Sequence, residues 1–290
     1  MNLPLFEPNF DRAGLARKLR ALAEDNIWIG TSSWKYEGWL DQIYSRERYL
    51  SRGRFSKKRF ESECLAEFSE TFPTVCGDFA FYQFPTPEFW SKLFGSAPAG
   101  LKIALKVPRD SFEDGQVLRT MFLEPLAPYA DRIGPLIFEF GARNAPRNTF
   151  IAGLNTLFAQ LCTQFRYAVE IRNREYLQPD YFSCLQAHRV AHVFNSWTRM
   201  PSIAEQMKIA GAFTTDFTVT RALLRPGRAY EQAVEKFQPY DRVQDENPEV
   251  RDALREMIRR MKEERRAAYI YVNNRLEGNA PETIQAVVAD

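Results

Sequence analysis

The segment YAVEIRNREY, residues 167–176, carries the side chains of this sequence that are best placed for chemistry. Apolar residues alternate along its first half, which is typical of a β-strand. The alternation puts Val169 on one face and places Glu170 and Arg172 together on the other. A carboxylate and a guanidinium at the end of a buried strand are costly to desolvate unless they are paired or used. The segment therefore marks a candidate site.

A regular alternation of strand-like and helix-like segments surrounds this one. Eight segments are predicted as strands: 27–32, 75–82, 101–107, 134–140, 166–172, 189–195, 217–224 and 267–274. Helices are expected near 56–71, 86–95, 116–130, 147–163, 178–187, 200–208, 248–265 and 280–288. The count, order and total length predict an α/β fold, a single-domain (β/α)8 TIM-type barrel.

A doubly wound open sheet is the alternative fold. It would normally carry a glycine fingerprint for a dinucleotide after its first strand. The corresponding sequence, Gly30-Thr31-Ser32-Ser33, has one glycine. We therefore favour the barrel and expect no dinucleotide cofactor.

Residues 1–26 are predicted as an N-terminal extension, and 27–290 as the barrel domain. The extension contains an amphipathic helix whose apolar stripe includes Leu15 and Leu19, with Asp11 as a plausible N-cap. This helix either forms a lid or dimer arm or closes the bottom of the barrel. Long irregular loops follow strand one, at 34–58, and strand seven, at 225–247.

The strand ends predict a shared polar mouth, because TIM barrels place their functional residues at the C-terminal ends of the strands. Alternation turns Lys106, Glu139, Glu170 and Arg172 toward the same interior. Adjacent strands are about 4.8 Å apart, so Glu139 and Glu170 are expected to perturb each other's pKa. Two close carboxylates suit general acid–base catalysis or a divalent metal. Alternatively, Glu170 pairs with Arg172 or Lys106 and plugs the barrel.

Lys106 is the third catalytic candidate, beside Glu139 and Glu170. A desolvated lysine can form a Schiff base, whereas a paired lysine would form a salt bridge or bind phosphate. His188 and His192 straddle a helix end and a strand, so they are not expected to ligate a metal together.

Further side chains at the strand ends predict an anion site. Arg221, Asn273 and Asn274 follow strands seven and eight, where TIM barrels commonly bind phosphate. The planar fork of arginine suits phosphate or carboxylate. The expected anion-binding or substrate-binding residues are Arg172, Arg221, Asn273, Asn274 and Arg109, together with Trp34 and Tyr82 as a stacking wall.

The loop 34–58 interleaves basic and aromatic residues. Such a pattern can grip single-stranded nucleic acid through charge and stacking. It can equally form a cover over the mouth whose aromatic side chains pack on the barrel. Both interpretations remain open at this point.

Composition sets broad limits on the class of protein. The chain has 290 residues, is 45% hydrophobic and 26% charged, and has a formal net charge of +2. The low net charge gives no support for an extended basic face. Four scattered cysteines favour reduced thiols over a disulfide framework. With no signal-like start and no long apolar run, we expect a soluble, cytoplasmic protein without a membrane partner.

Six segments spanning nearly the whole chain carry a family resemblance: IGTSSWKYEGW (29–39), FYQFP (81–85), ALKVPRD (104–110), IGPLIFEF (133–140), AVEIRNREY (168–176) and YVNNRLEGNAPETIQ (271–285). Together they resemble the YecE-like family, the domain of unknown function 72. The resemblance implies a (β/α)8 barrel but no settled activity. The retained residues are Trp34, Tyr82, Lys106, Glu170, Arg172, Arg221, Asn273 and Asn274.

The sequence also departs from that family pattern. Cys76 and Asp78 stand where the family usually has Glu and Asn, and Leu223 stands where it has a histidine after strand seven. Asn195 replaces an aspartate at the end of strand six. These differences weaken the inference that this chain keeps the chemistry of the family.

Three hypotheses follow. The first is a barrel that binds an anionic, phosphate-bearing small molecule or nucleotide, with hydrolysis or isomerisation as the reaction and Glu170 as acid–base or metal ligand. The second is a non-catalytic module that uses the loop 34–58 to bind nucleic acid or protein. The third is a degenerate barrel that serves assembly. The oligomeric state is not predicted.

Overall fold

The computed structural model describes residues 10–112, 114–142 and 145–289. Within these ranges eight parallel strands form a closed barrel in which every strand pairs with its neighbours in sequence and the last pairs with the first. The strands are β1 (Ile27–Thr31), β2 (Thr74–Gly77), β3 (Lys102–Lys106), β4 (Ile133–Phe140), β5 (Tyr167–Ile171), β6 (Ala191–Ser196), β7 (Phe217–Ala222) and β8 (Ala267–Val272). The predicted (β/α)8 TIM-type barrel is confirmed.

Helical segments connect the strands. The α-helices of the described ranges are α1 (Arg12–Glu24), α2 (Lys57–Phe68), α3 (Pro87–Ser96), α4 (Gly115–Leu118), α5 (Glu124–Leu126), α6 (Arg147–Phe158), α7 (Pro179–Ala187), α8 (Ile203–Met207), α9 (Tyr230–Phe237), α10 (Pro248–Glu264) and α11 (Ala280–Val287). None of the helices in the part of the chain that the structure describes has the length and apolarity needed to cross a bilayer.

The helix predicted near 116–130 is broken into pieces. A π-helical turn, Arg119–Leu123, separates α4 from α5, and a 3-10 helix, Ala127–Arg132, follows. Pro125 and Pro128 lie in these pieces. Because proline cannot donate a backbone hydrogen bond, a continuous α-helical pattern is disrupted there.

Side chains fill the interior of the barrel. Its middle contains the buried residues Cys76, Ala104, Ile137, Ala168, Ala191, Val193, Phe217, Val219, Tyr269 and Tyr271. Small alanines on three strands leave room for the large rings of β7 and β8, as is usual in an eight-stranded barrel. The barrel is therefore a packed core, and any site must lie at one of its ends.

The second strand is shorter than predicted. β2 ends at Gly77, whereas the apolar sequence predicted strand as far as Tyr82. The amide of Phe81 donates to the carbonyl of Asp78 over 3.0 Å, which closes a turn. The ring of Phe79 folds back so closely that a Cβ added at Gly77 would lie 2.4 Å from it. The predicted C-terminal end of this strand was wrong because Phe79 and Phe81 belong to a turn and not to the strand. The other seven strands agree with prediction within two residues at each end.

The predicted N-terminal helix is α1. Asp11 caps it by accepting a hydrogen bond from the third residue that follows (2.8 Å), as expected. Leu15 and Leu19 are buried against the core. Lys18 donates to the C-cap carbonyl of α11 (3.2 Å), at the N-terminal end of the barrel. This helix packs at the bottom of the fold. The first nine residues of the predicted extension lie outside the described residues.

Both long loops predicted after the first and seventh strands are present. The loop 34–58 contains a small hairpin and buries several of its aromatic side chains, among them Trp39, Tyr44 and Tyr49. These rings pack against one another and against α2. The loop 225–247 contains α9 and a cis peptide bond before Pro239. The sequence allowed either exposed aromatic side chains or packed ones in the loop 34–58, and the structure shows these three rings packed.

Candidate functional site

Five charged side chains meet at the C-terminal mouth of the barrel. Glu139 of β4 lies opposite Glu170 of β5 in the strand register, so the predicted proximity of the two carboxylates is confirmed. Lys106 Nζ lies 2.9 Å from Glu139 Oε2. Arg172 Nη2 lies 2.6 Å from Glu170 Oε1 and 3.2 Å from Glu139 Oε2. Arg221 Nη1 lies 3.0 Å from Glu139 Oε2 and also contacts Glu170. We call these five residues the mouth cluster.

The members of the mouth cluster differ in their access to solvent. The side chain of Glu170 is 0% exposed, and those of Arg221 and Arg172 are 5% and 6% exposed. Lys106 and Glu139 are more open, at 12% and 16%. A ligand that approaches the mouth would therefore meet Lys106 and Glu139 first, with Glu170 beneath them.

Charge in the mouth cluster is unbalanced. Three cations surround two carboxylates, which leaves one excess positive charge. Burial disfavours the charged form of Glu139, but Arg172, Lys106 and Arg221 outweigh it and hold the pKa of Glu139 well below its usual range. Burial likewise opposes the charge of Arg221, yet Glu170 and its neighbours raise the pKa of Arg221. The surroundings thus favour the charged forms of Glu139 and Arg221.

Comparison with known families identifies the group to which the chain belongs. A family model described as a protein of unknown function, DUF72, matches residues 28–290. The chain is a member of the DUF72 family. Comparison with curated proteins gave no match.

Solved structures of two DUF72 family proteins share the fold. One, from Enterococcus faecalis V583, has a TM-score of 0.65 and 16% identity over 90% of this chain and 94% of that one. Another, from Thermotoga maritima MSB8, has a TM-score of 0.60 and 18% identity over 90% of this chain and 97% of that one. At these identities the likeness concerns the fold alone.

Aromatic rings flank the two sides of the mouth cluster. The guanidinium carbon of Arg172 lies 3.7 Å from the ring centroid of Trp197. Lys106 Nζ lies 4.9 Å from the ring centroid of Phe81. The Phe81 ring in turn contacts Tyr82, which is 76% exposed. Trp197 and Phe81 were not predicted as site residues. Trp197 directly follows β6, so its position at the C-terminal end of a strand was the signal that could have identified it.

Buried polar atoms near the mouth still have unused hydrogen-bonding capacity. Arg172 Nη1, Arg221 Nε and Asn195 Oδ1 are buried and have no hydrogen-bond partner among the residues that the structure describes. Such groups are uncommon in folded proteins. They give the region around the mouth cluster two donors and one acceptor beyond its ion pairs.

The predicted asparagines lie at the mouth but support the backbone. Asn273 Oδ1 accepts from the amide of Arg275 over 2.9 Å. Asn274 Oδ1 accepts from the amide of Ala280 over 2.8 Å, at the start of α11. Both side chains are almost fully buried. Their oxygens stabilise the loop after β8.

Three other residues have contacts outside the mouth cluster: Trp34, Arg109 and Arg225. The carbonyl of Trp34 accepts a hydrogen bond from the hydroxyl of Tyr44, and the indole is 6% exposed. The side chain of Arg109 is exposed. Arg225 pairs with Asp245 at 2.9 Å within the loop after β7. The structure therefore brings together the predicted carboxylates, Lys106 and two of the predicted arginines.

Metal ligation has little support in the described ranges. No group of three or more His, Cys, Asp or Glu side chains there is arranged to hold a metal ion. His192 is buried between Tyr181 (3.2 Å) and Gln206 (3.3 Å), and burial lowers its pKa to about 4. His188 pairs with Asn155 on α6. The two histidines thus have separate partners.

Proposed function

We propose that the mouth of the barrel binds the anionic group of a phosphate-bearing small molecule or nucleotide. The observation that carries this proposal is the excess positive charge of the mouth cluster, which a bound anion would neutralise. Lys106 is the cation with the most exposed side chain, and Arg172 Nη1 is a donor without a partner among the described residues. Charge-assisted hydrogen bonds of this kind are the strong ones in anion recognition.

The exposed aromatic residue beside the mouth supports a ligand larger than the anion itself. Tyr82 is mostly exposed and contacts Phe81, which lies under Lys106. A nucleobase or another flat group could stack on the Tyr82 ring while its phosphate contacts Lys106. We therefore favour a nucleotide over a small inorganic anion.

The geometry supports binding better than proton transfer. Both oxygens of Glu170 face arginines and its side chain has no exposed surface. Glu139 can meet a ligand, but the cations that lower its pKa make it a weak proton acceptor at neutral pH. The same cations would compete with a divalent metal for both carboxylates. We therefore assign Glu170 a positioning role, in which it holds Arg172 and Arg221, and we do not propose hydrolysis, isomerisation or metal binding.

The packing of the loop 34–58 bears on the nucleic-acid alternative. Stacking on bases requires exposed rings, but Trp39, Tyr44 and Tyr49 are buried. We therefore treat this loop as a cover. Binding of single-stranded DNA whose affinity falls steeply with salt would favour the alternative instead.

Thermal unfolding in the presence of different anions tests the proposal. Inorganic phosphate, AMP, a sugar phosphate and acetate are compared with chloride at equal ionic strength. A ligand present at 100 times its Kd should stabilise the protein by about 2.7 kcal/mol. Phosphate-bearing ligands are expected to raise Tm. The proposal fails if none of them does.

A pair of arginine variants localises the effect. Arg172 directly follows β5, whereas Arg166 directly precedes it, at the other end of the barrel. Arg172→Lys keeps the charge but removes the fork, so it should reduce the Tm shift caused by the phosphate ligand. Arg166→Lys should leave that shift intact. Equal losses in both variants would contradict binding at the mouth.

A further inference from the structure

A cleft lies between α2 and α3, beside the C-terminal ends of β1 and β2. Its volume is about 330 Å³, which is within the usual range of small-molecule sites. Apolar side chains from both helices and from the segment after β2 line it, among them Leu65, Phe79 and Leu93. Phe89, at 39% exposure, lines it as well.

Aromatic packing holds the wall of this cleft in place. The ring centroid of Phe79 lies 6.1 Å from that of Trp34, 5.1 Å from that of Phe89 and 5.9 Å from that of Trp90. Gly77 allows this arrangement, because a Cβ there would collide with the Phe79 ring. The apolar surface is therefore built into the fold.

Charges of both signs also line the cleft. Lys35 and Lys92 contribute two positive charges, and Glu61 and Asp78 contribute two negative ones. Unlike the mouth cluster, none of the four forms an ion pair within 4 Å with another residue in the described ranges. The cleft therefore has no net charge, and its charged groups are not committed to each other.

One residue of the cleft lining has a buried donor without an acceptor. Trp34 lines the cleft and is 6% exposed. Its Nε1–H is buried and has no hydrogen-bond partner among the described residues. A buried N–H without a partner is destabilising, so an acceptor brought within reach of Nε1 would stabilise the protein.

We propose that this cleft, whose lining includes no residue of the mouth cluster, is a second ligand site and binds a zwitterion with an aromatic or branched apolar body, of the amino-acid class. The apolar body packs against Phe79 and Phe89. The carboxylate lies near the lysines, and the ammonium lies near Glu61 or Asp78. This assignment does not depend on what binds at the mouth.

Calorimetric titration with phenylalanine as the probe tests the assignment. Two analogues, phenylpropionate and phenethylamine, keep the ring and remove one charge each. Phenylalanine should bind about tenfold or more tightly than either analogue, because each analogue leaves one pair of cleft charges without a partner. The absence of phenylalanine binding, or equal binding of all three molecules, would overturn the proposal.

Three variants locate the probe. Phe89→Ala removes a wall, and Ser62→Trp fills the space; both positions line the cleft and are exposed. Each should weaken phenylalanine binding by about tenfold or more. Met121→Ala, at a position that is 50% exposed and outside the lining, is the matched control and should bind normally.

The remaining outcomes are also decisive. Thermal unfolding without ligand verifies that each variant is folded. If Ser62→Trp does not fold, the test rests on Phe89→Ala alone. Unchanged binding in the folded cleft variants would overturn the proposal. Binding that is lost in Lys106→Gln instead would place the probe at the mouth and would also overturn it.

Discussion

The two ends of the barrel hold cations in different ways. Lys102 and Lys106 are the first and last residues of β3, and Arg166 and Arg172 flank β5. At the mouth, carboxylates hold Lys106 and Arg172. At the N-terminal end, Lys102 lies against uncharged groups: its Nζ is 5.7 Å from the ring centroid of Trp28 and donates to the backbone carbonyl of Asp131.

The same contrast holds for the arginines. Arg166 Nη1 donates to the hydroxyl of Tyr269 over 2.9 Å, and its guanidinium lies over aromatic rings. Burial and the nearby charge of Arg166 lower the pKa of Lys102, whereas carboxylates raise the pKa of Arg221 at the mouth. Lys102 and Arg166 are thus held by aromatic rings and neutral acceptors, whereas two carboxylates hold the cations of the mouth cluster. Fixed cations with restricted solvent access are what an anion site requires.

The largest expected effect comes from removing the buried carboxylate of the mouth. Glu170→Gln leaves Arg172 and Arg221 with one carboxylate between them, so unfolding free energy should fall by about 3–5 kcal/mol. Tyr269→Phe removes the neutral partner of Arg166 at the bottom and should cost about 1 kcal/mol. Urea unfolding of both variants measures the difference. The contrast between the two ends breaks down if Glu170→Gln costs no more than Tyr269→Phe.

A smaller, pH-dependent effect is expected for Glu139. Its pKa in the folded state is lowered from an ordinary value of 4.5, so the unfolded state binds more protons in acid. The stability it contributes is present above about pH 4.5 and is lost as pH falls through the folded pKa. Glu139→Gln should therefore cost about 2 kcal/mol at neutral pH, and less on acidification.

Urea unfolding between about pH 7 and pH 3 measures this difference for wild type and variant. Lys102→Gln, at the N-terminal end of the barrel and outside the mouth cluster, serves as the reference. A wild-type advantage over Glu139→Gln that stays constant or grows as the pH falls would show that Glu139 is not held ionised by its neighbours.

The smallest effect on stability is expected at the exposed ring. Tyr82 is 76% exposed, so Tyr82→Ala should change unfolding free energy by less than about 0.5 kcal/mol. If the ring stacks on a nucleobase, AMP affinity should fall about tenfold while phosphate affinity stays the same. Calorimetric titration of both ligands measures this split. Equal changes for AMP and phosphate would exclude stacking on Tyr82.

Much of the mouth could be predicted because strand periodicity survives in the barrel. Lys106, Glu139 and Glu170 lie in strands and Arg172 directly follows one, and a residue in this alternating pattern has only two faces to choose from. The order of the strands then brings their C-terminal ends together. The fold, and the side of each strand that faces the barrel interior, could thus be predicted from local sequence.

Other features depend on contacts that local sequence does not encode. Tyr82 was expected at a strand end, but β2 already ends at Gly77, against which the Phe79 ring packs. Asn273 and Asn274 were expected to face a ligand, yet nearby amides occupy their oxygens. The full burial of Glu170 beneath Glu139 follows from packing across the closed barrel. These features depend on tertiary closure.

The most direct test of the account is an anion titration with the two lysines that end β3. Phosphate or AMP is titrated into wild type, Lys106→Gln and Lys102→Gln by calorimetry. We expect Lys106→Gln to weaken binding by about tenfold or more and Lys102→Gln to change it by less than about twofold. Equal weakening in the two variants, or full affinity in Lys106→Gln, would contradict an anion site at the mouth.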